Sequence, residues 1–259
     1  YFPEGYDGYK FYLIYTPYPG AADENPSLMR SNDGENFDAI GVTNPLFKYN
    51  TQPIYDSQNL ADPEAIKVGD TWMIFYEMEQ TNYGHLGVAL STDGVHYTPY
   101  GGPYSPARPM LPWPTDGNPV IYFSDDTWYE HDDNPADSIP RLGEPAVIFK
   151  DGLFHMWYCS YNPAARAVYA TATDPRGPWT KYGPVFDNGR HPDVVYDPER
   201  DLYVMWYLSG QNSIATTTRP EGPWTPHPNN PVFTAEGGWE GSSLYRSALV
   251  QVGTQWYLY

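Results

Sequence analysis

Short apolar runs bounded by Gly, Pro, Asp or Asn recur along the whole chain, and no helical period longer than two turns interrupts them. Such runs read as β-strands joined by tight turns. Several align on one template: an acidic or polar residue, usually followed by Pro, opens a short apolar strand, a turn with Gly or Asp follows, and a strongly aromatic strand comes next. The copies are Asp62-Pro63-Glu64-Ala65-Ile66 leading to Trp72-Met73-Ile74-Phe75-Tyr76, and Glu144-Pro145-Ala146-Val147-Ile148 leading to His155-Met156-Trp157-Tyr158. Two more run from His191-Pro192-Asp193-Val194-Val195 to Tyr203-Val204-Met205-Trp206-Tyr207, and from Arg246-Ser247-Ala248-Leu249-Val250 to Gln255-Trp256-Tyr257-Leu258-Tyr259. A fifth opens the chain, with Tyr1-Phe2 at the end of a first strand and Phe11-Tyr12-Leu13-Ile14-Tyr15 as the second.

The segments that follow repeat too. Asn25 to Gly34 matches His85 to Gly94, and Arg176-Gly177-Pro178-Trp179 is echoed by Glu221-Gly222-Pro223-Trp224. Each unit therefore reads as four antiparallel strands, and five units predict an all-β, five-bladed β-propeller in a single domain. Its blades are expected at about 1–48, 49–105, 140–186 and 187–232, with an incomplete one at 240–259 and an active-face loop over 106–139. A β-sandwich of unrelated strands leaves the Gly-Pro-Trp echo without a cause. The alignment puts the first unit's equivalent of Glu144 before Tyr1 and the fifth unit's last two strands after Tyr259, so the ring is expected to be clipped at both ends or to close in an unusual way.

Composition agrees with many short strands. The 28 Pro and 23 Gly supply turns, and 17% aromatic residues supply strand surface for a sizeable core. A net charge of −18 opposes nucleic acid and anionic membrane faces and favours a neutral or cationic ligand. The single Cys159 excludes an internal disulfide, and no apolar run is long enough to span a bilayer. No signal peptide is seen; a mature secreted or periplasmic chain, the expected setting, has lost its own. A monomer or weak oligomer is expected.

In a propeller blade the first strand is innermost, so Asp62, Glu144, His191 and Arg246 are expected around one mouth of the central channel. Loops between second and third strands open on the same face, which adds Glu24 and Asn25. The connection 98–143 hangs over that mouth as well, and its length points to function. It carries Trp113, Trp128, Tyr129, His131, Asp132 and Asp133, a mixture of stacking surface and polar groups suited to a sugar. Two carboxylates from different blades are the minimum apparatus for breaking a glycosidic bond, one protonated to donate to the leaving oxygen and one ionised. Glu144 is the expected acid, with Asp62 modulating its charge.

These strand starts, with the Lys150-Asp151-Gly152 turn, the Met156-Trp157-Tyr158 strand and the Arg176-Gly177-Pro178-Trp179 turn, resemble the five-bladed propeller glycoside hydrolases of families 43, 62 and 32. In that clan a blade-one Asp is base or nucleophile, a blade-two Asp tunes pKa and orients substrate, and a blade-three Glu is the general acid. The resemblance implies the second role for Asp62 and the third for Glu144. The first role has no direct match; Glu24 is the in-chain substitute and Asp193 the next. His191 resembles a channel histidine that in some family 43 members helps hold a calcium ion or water. No cofactor is required, a channel calcium is the only metal implied, and no other metal site is expected. Arg246, flanked by Tyr245 and Ser247, is placed to bind sugar hydroxyls or a carboxylate, or to neutralise an acidic mouth.

The resemblance implies inverting hydrolysis of a neutral glycan with furanosyl or pentosyl units. Two other readings stay open: a non-catalytic carbohydrate-binding propeller, and a transglycosylase or phosphorylase. A phosphorylase needs basic residues at the mouth, where Arg246, Arg141 and Arg190 are the candidates. Phosphate loops, paired zinc cysteines and Gly-x-Ser-x-Gly elbows are absent from the sequence. Ser-Asn-Asp-Gly at 31–34 and Ser-Thr-Asp-Gly at 91–94 read as structural hairpin turns.

Overall fold

A computed structural model describes residues 1–17, 24–48, 59–80, 83–101, 117–122, 129–130, 141–161, 164–242 and 244–259. The chain divides into two compact units, Tyr1–Tyr122 and Phe123–Tyr259. The first unit holds the pair β1 (Phe11–Tyr15) and β2 (Ser27–Ser31). It also holds a four-stranded sheet of β3 (Asn59–Val68), β4 (Thr71–Gln80), β5 (Tyr83–Ser91) and β6 (Thr98–Pro99). The second unit has two four-stranded sheets. One is β7 (Leu142–Lys150), β8 (Leu153–Ser160), β9 (Arg166–Ala172) and β10 (Thr180–Asp187). The other is β11 (Arg190–Asp197), β12 (Leu202–Ser209), β13 (Gln211–Thr217) and β14 (Thr225–Pro226). The pair β15 (Leu249–Val252) and β16 (Gln255–Leu258) completes it. All these sheets are antiparallel with sequential strand order, as the repeat predicts. Among the described residues there is no α-helix, and no helix is long and apolar enough to cross a membrane.

The aromatic strands form the cores. In the second unit Trp157, Tyr169, Tyr203, Met205, Tyr207 and Trp224 are buried together between the β7–β10 and β11–β14 sheets. In the first unit Trp72, Ile74, Tyr76 and Met78 of β4 pack with Phe47, Leu60 and Tyr97, and Phe2, Tyr6 and Tyr12 lean on the same cluster. The Gly-Pro-Trp echo has one structural meaning in both copies. Gly177 and Gly222 take φ of 91° and 90°, a region open to glycine, and a Cβ on Gly222 would stand 3.1 Å from Trp224. The two Ser-x-Asp-Gly turns also share one network: Asp33 and Asp93 each accept from the two backbone N–H groups that follow the Gly, and from the side chain of Asn36 or His96. Those donors hold both carboxylates well below the usual range, which makes these turns structural.

The outer edges hold a repeat that sequence reading passed over. Asn44, Asn118 and Asn230, each followed by Pro, fold their side-chain amides onto the middle of a third strand. Each Oδ1 accepts from, and each Nδ2 donates to, the backbone of one residue, Leu28, Val88 or Ile214, at 2.8–3.0 Å. The amide stands in for a strand partner at one point of an edge that is otherwise covered only by short pieces, the two-residue β6 and β14 and isolated bridges such as Arg30–Asp38. Part of the long connection after β6 serves this edge: residues 118–121 are hydrogen-bonded back to Tyr100 and Leu86.

Candidate active site

Asp62, Glu144 and His191, which the sequence puts at strand starts, lie inside their strands. The ladder runs Ala61↔Glu77 and resumes at Glu64↔Phe75. It runs Gly143↔Cys159 and resumes at Ala146↔Trp157. In the fourth copy it runs Arg190↔Leu208 and resumes at Asp193↔Trp206. Each copy therefore sets two residues against one tyrosine, Tyr76, Tyr158 or Tyr207, which is a β-bulge. The proline supplies the reason, because it has no N–H for the ladder. The residue before it takes positive φ: 49° at Asp62, 57° at Glu144 and 46° at His191. Such a conformation costs on the order of 1–3 kcal/mol per residue and clusters where a side chain is aimed for function. Arg246, followed by Ser247, lacks the proline and the positive φ.

The hydroxyls of the three opposing tyrosines repeat as well. Those of Tyr76 and Tyr207 receive Nδ2 of Asn118 and Asn230 at 2.9 and 3.1 Å. Tyr158 instead donates to buried Glu130 at 2.7 Å, and Lys181 meets the other Glu130 oxygen at 2.7 Å. Burial lowers the Lys181 pKa and raises that of Tyr158.

In the second unit Glu144 is buried and enclosed. The Tyr161 hydroxyl donates to Oε1, the His191 backbone N–H donates to Oε2 at 2.6 Å, and His191 Nε2 lies 3.2 Å from Oε1. Arg190 Nη2 lies 3.9 Å from Oε1 and donates to the Tyr161 hydroxyl at 3.3 Å. The guanidinium groups of Arg141 and Arg190 sit 5.6 and 5.1 Å from the Tyr161 ring centre, within cation–π range. Tyr245, two-thirds exposed, packs edge-on against His191 with ring centres 4.5 Å apart. Arg246 Nη2 donates to the Pro145 carbonyl at 3.0 Å. The buried Asp193 carboxylate accepts from the Leu249 N–H at 2.5 Å and so ties β11 to β15. Burial pushes its pKa up to about 6, against the pull of that N–H and of Arg246.

The structure thus brings together Glu144, His191, Tyr245 and Arg246 and turns Asp193 toward a neighbouring strand. In the first unit the backbone of Glu24 is held by Asn59 and Leu60, at the end of β3 that carries Asp62, and Asn25 beside it is buried. Trp113, Trp128, His131, Asp132 and Asp133 lie outside the described residues, while Tyr129 is buried, its carbonyl accepting from Ser160. Tyr161 is the contact to Glu144 that sequence reading missed. Counting back along the β7–β8 hairpin from its Asp151-Gly152 turn places residue 161 opposite Leu142, at the end of the sheet where Glu144 stands; the bulge shifts it by one, beside Arg141.

Neither a protein-family model nor a curated protein sequence matches the chain. Solved structures do. An endo-1,4-β-xylanase from Bacteroides thetaiotaomicron is similar at a TM-score of 0.60 and 16% identity, over 95% of this chain and 78% of that one. A thermostable family-43 glycoside hydrolase gives 0.56 and 19%, over 85% and 67%. A glycosyl hydrolase from Bacteroides ovatus gives 0.54 and 20%, over 75% of this chain, which spans 59% of that protein's length. The chain shares its fold with glycoside hydrolases.

Proposed function

We propose that this protein is a glycosidase in which Glu144 is the general acid. The observation that carries the reading is Glu144 itself: a buried carboxylate on a positive-φ bulge, in a fold shared with glycoside hydrolases. The remaining carboxylate roles come from the alignment and the resemblance alone, Asp62 as modulator and Glu24 as base. His191, Tyr245 and Arg246 take the part of sugar contacts, with Asn25, Trp128, His131 and Asp133 assigned on sequence. Five blades, a furanosyl or pentosyl substrate, inversion and a secreted or periplasmic setting belong to the same proposal. A structural calcium ion held with the help of His191, which takes about six to eight oxygen ligands, stays part of the same proposal.

The test is product release from arabinans, xylans, fructans and galactans, comparing the wild-type chain with Glu144→Gln. Turnover lost by about 10²–10⁴-fold in the variant supports an acid role. Binding without turnover favours the second reading, a carbohydrate-binding propeller. The donors on both Glu144 oxygens speak for that alternative, because they favour the ionised carboxylate.

A further inference from the structure

Arginine is scarce in this acidic chain, and most of it is spoken for. Arg30, Arg166, Arg176, Arg200 and Arg219 each stand 2.5–3.6 Å from a carboxylate of their own: Asp7, Asp187, Asp174, Asp197 and Glu221. Arg190 differs. Among the described residues its nearest carboxylate is Glu144 at 3.9 Å, and that group is already held by Tyr161 and His191. The Arg190 side chain is 45% exposed, spends one donor on the Tyr161 hydroxyl and rests on the Tyr161 ring, which Arg141 also approaches. A guanidinium has five N–H donors in a rigid fork that matches a planar carboxylate.

A cation in that place opposes acid catalysis, since it favours the ionised form of the neighbouring carboxylate. The conflict disappears when the substrate brings an anion of its own. A carboxylate docked on the outward edge of Arg190 takes up the guanidinium's charge and removes its pull toward the ionised form of Glu144. In a uronic acid the carboxylate sits on the ring carbon bonded to the ring oxygen, and the anomeric carbon is bonded to the same oxygen. One sugar can therefore present its glycosidic oxygen to Glu144 and its carboxylate to Arg190.

We propose that Arg190, steadied by Tyr161 and supplemented by Arg141, is a recognition site for the carboxylate of an acidic sugar. The substrate is then a largely neutral glycan in which an isolated uronic acid, in place of a neutral furanosyl or pentosyl unit, stands at the bond to be cut. The net charge of −18 opposes a polyanion, while this local pair of guanidinium groups admits one negative charge. The proposal rests on the glycosidase reading of Glu144, and its test uses binding rather than turnover so that the two fail separately.

Dissociation constants of glucuronate, galacturonate, glucose, galactose and inorganic phosphate are measured by titration calorimetry or NMR for the wild-type chain, Arg190→Gln and Arg190→Lys. Wild type is expected to bind one uronate about 10-fold more tightly than its neutral counterpart, the size of a partly exposed charge-assisted pair. Arg190→Gln is expected to abolish that preference, so that a uronate binds no more tightly than its neutral counterpart, while Arg190→Lys keeps part of it. Near-ultraviolet circular dichroism confirms that the variants fold. No uronate preference in wild type, a preference that survives Arg190→Gln, no measurable uronate binding, or tight binding of phosphate in its place each overturns the proposal.

Discussion

Replacing the three clamp asparagines by alanine asks how much one interaction contributes at different depths. Asn118 is 1% exposed and makes three hydrogen bonds, two to the backbone of Val88 and one to the Tyr76 hydroxyl. Truncation removes about 1 kcal/mol net per bond and strands buried donors and acceptors that water reaches poorly, each worth about 1–3 kcal/mol. Partial rescue by an entering water brings the expected loss for Asn118→Ala to about 3–5 kcal/mol, a fall in Tm of about 10 °C for a chain of this size. Asn230 makes the same three bonds but is half-buried, so about 2 kcal/mol is expected. Asn44 is exposed and makes two, so about 1 kcal/mol or less is expected. Asn44 and Asn118 belong to one compact unit and can be compared on one urea transition, with unchanged m-values certifying that the comparison is of stability. Asn118→Asp adds a sign test: its carboxylate keeps an acceptor but loses the donor, so its deficit should shrink as pH falls through the carboxylate range and the acid proton replaces the amide N–H. Equal losses at the three sites, or less than about 1 kcal/mol at Asn118, would refute the clamp argument.

Tyr161→Phe keeps the ring beside the arginines and deletes the hydroxyl on Glu144; because a donor to the ionised carboxylate is gone, the alkaline limb of the kcat/KM profile should move to higher pH, and an unmoved limb would contradict the contact. Asp193 is raised to about 6 in the fold from an ordinary carboxylate value, so the folded state holds its proton longer. Its contribution to stability is therefore full below the unfolded value and lost as pH rises toward 6, and Asp193→Asn should flatten that part of the stability curve measured by urea titration. Gly222→Ala places a Cβ 3.1 Å from Trp224 at φ of 90° and should cost about 1–3 kcal/mol in thermal unfolding; a neutral substitution would contradict the constraint read from the turn.

The sheet order and the aromatic cores were legible because apolar runs, turns and the Gly-Pro-Trp echo repeat openly along the chain. The proximity of Glu144, His191 and Arg246 was legible because their offset from those runs is constant. The bulge was not, since alternation reads through Glu144-Pro145-Ala146 without showing that two residues oppose Tyr158. The Asn-Pro clamps look like ordinary turn signals until the amide folds back onto a strand 16 or 30 residues away. Tyr161 follows an aromatic strand and reads as more core, whereas its hydroxyl is a neighbour of the candidate acid.

The most direct measurement of the central claim varies the leaving group. Wild type and Glu144→Gln are compared on an unactivated oligosaccharide and on a dinitrophenyl glycoside of the same sugar, whose departure needs no proton. If Glu144 is the general acid, the variant loses about 10²–10⁴-fold on the oligosaccharide and far less on the activated glycoside. Equal losses on both substrates, or none on either, would contradict it.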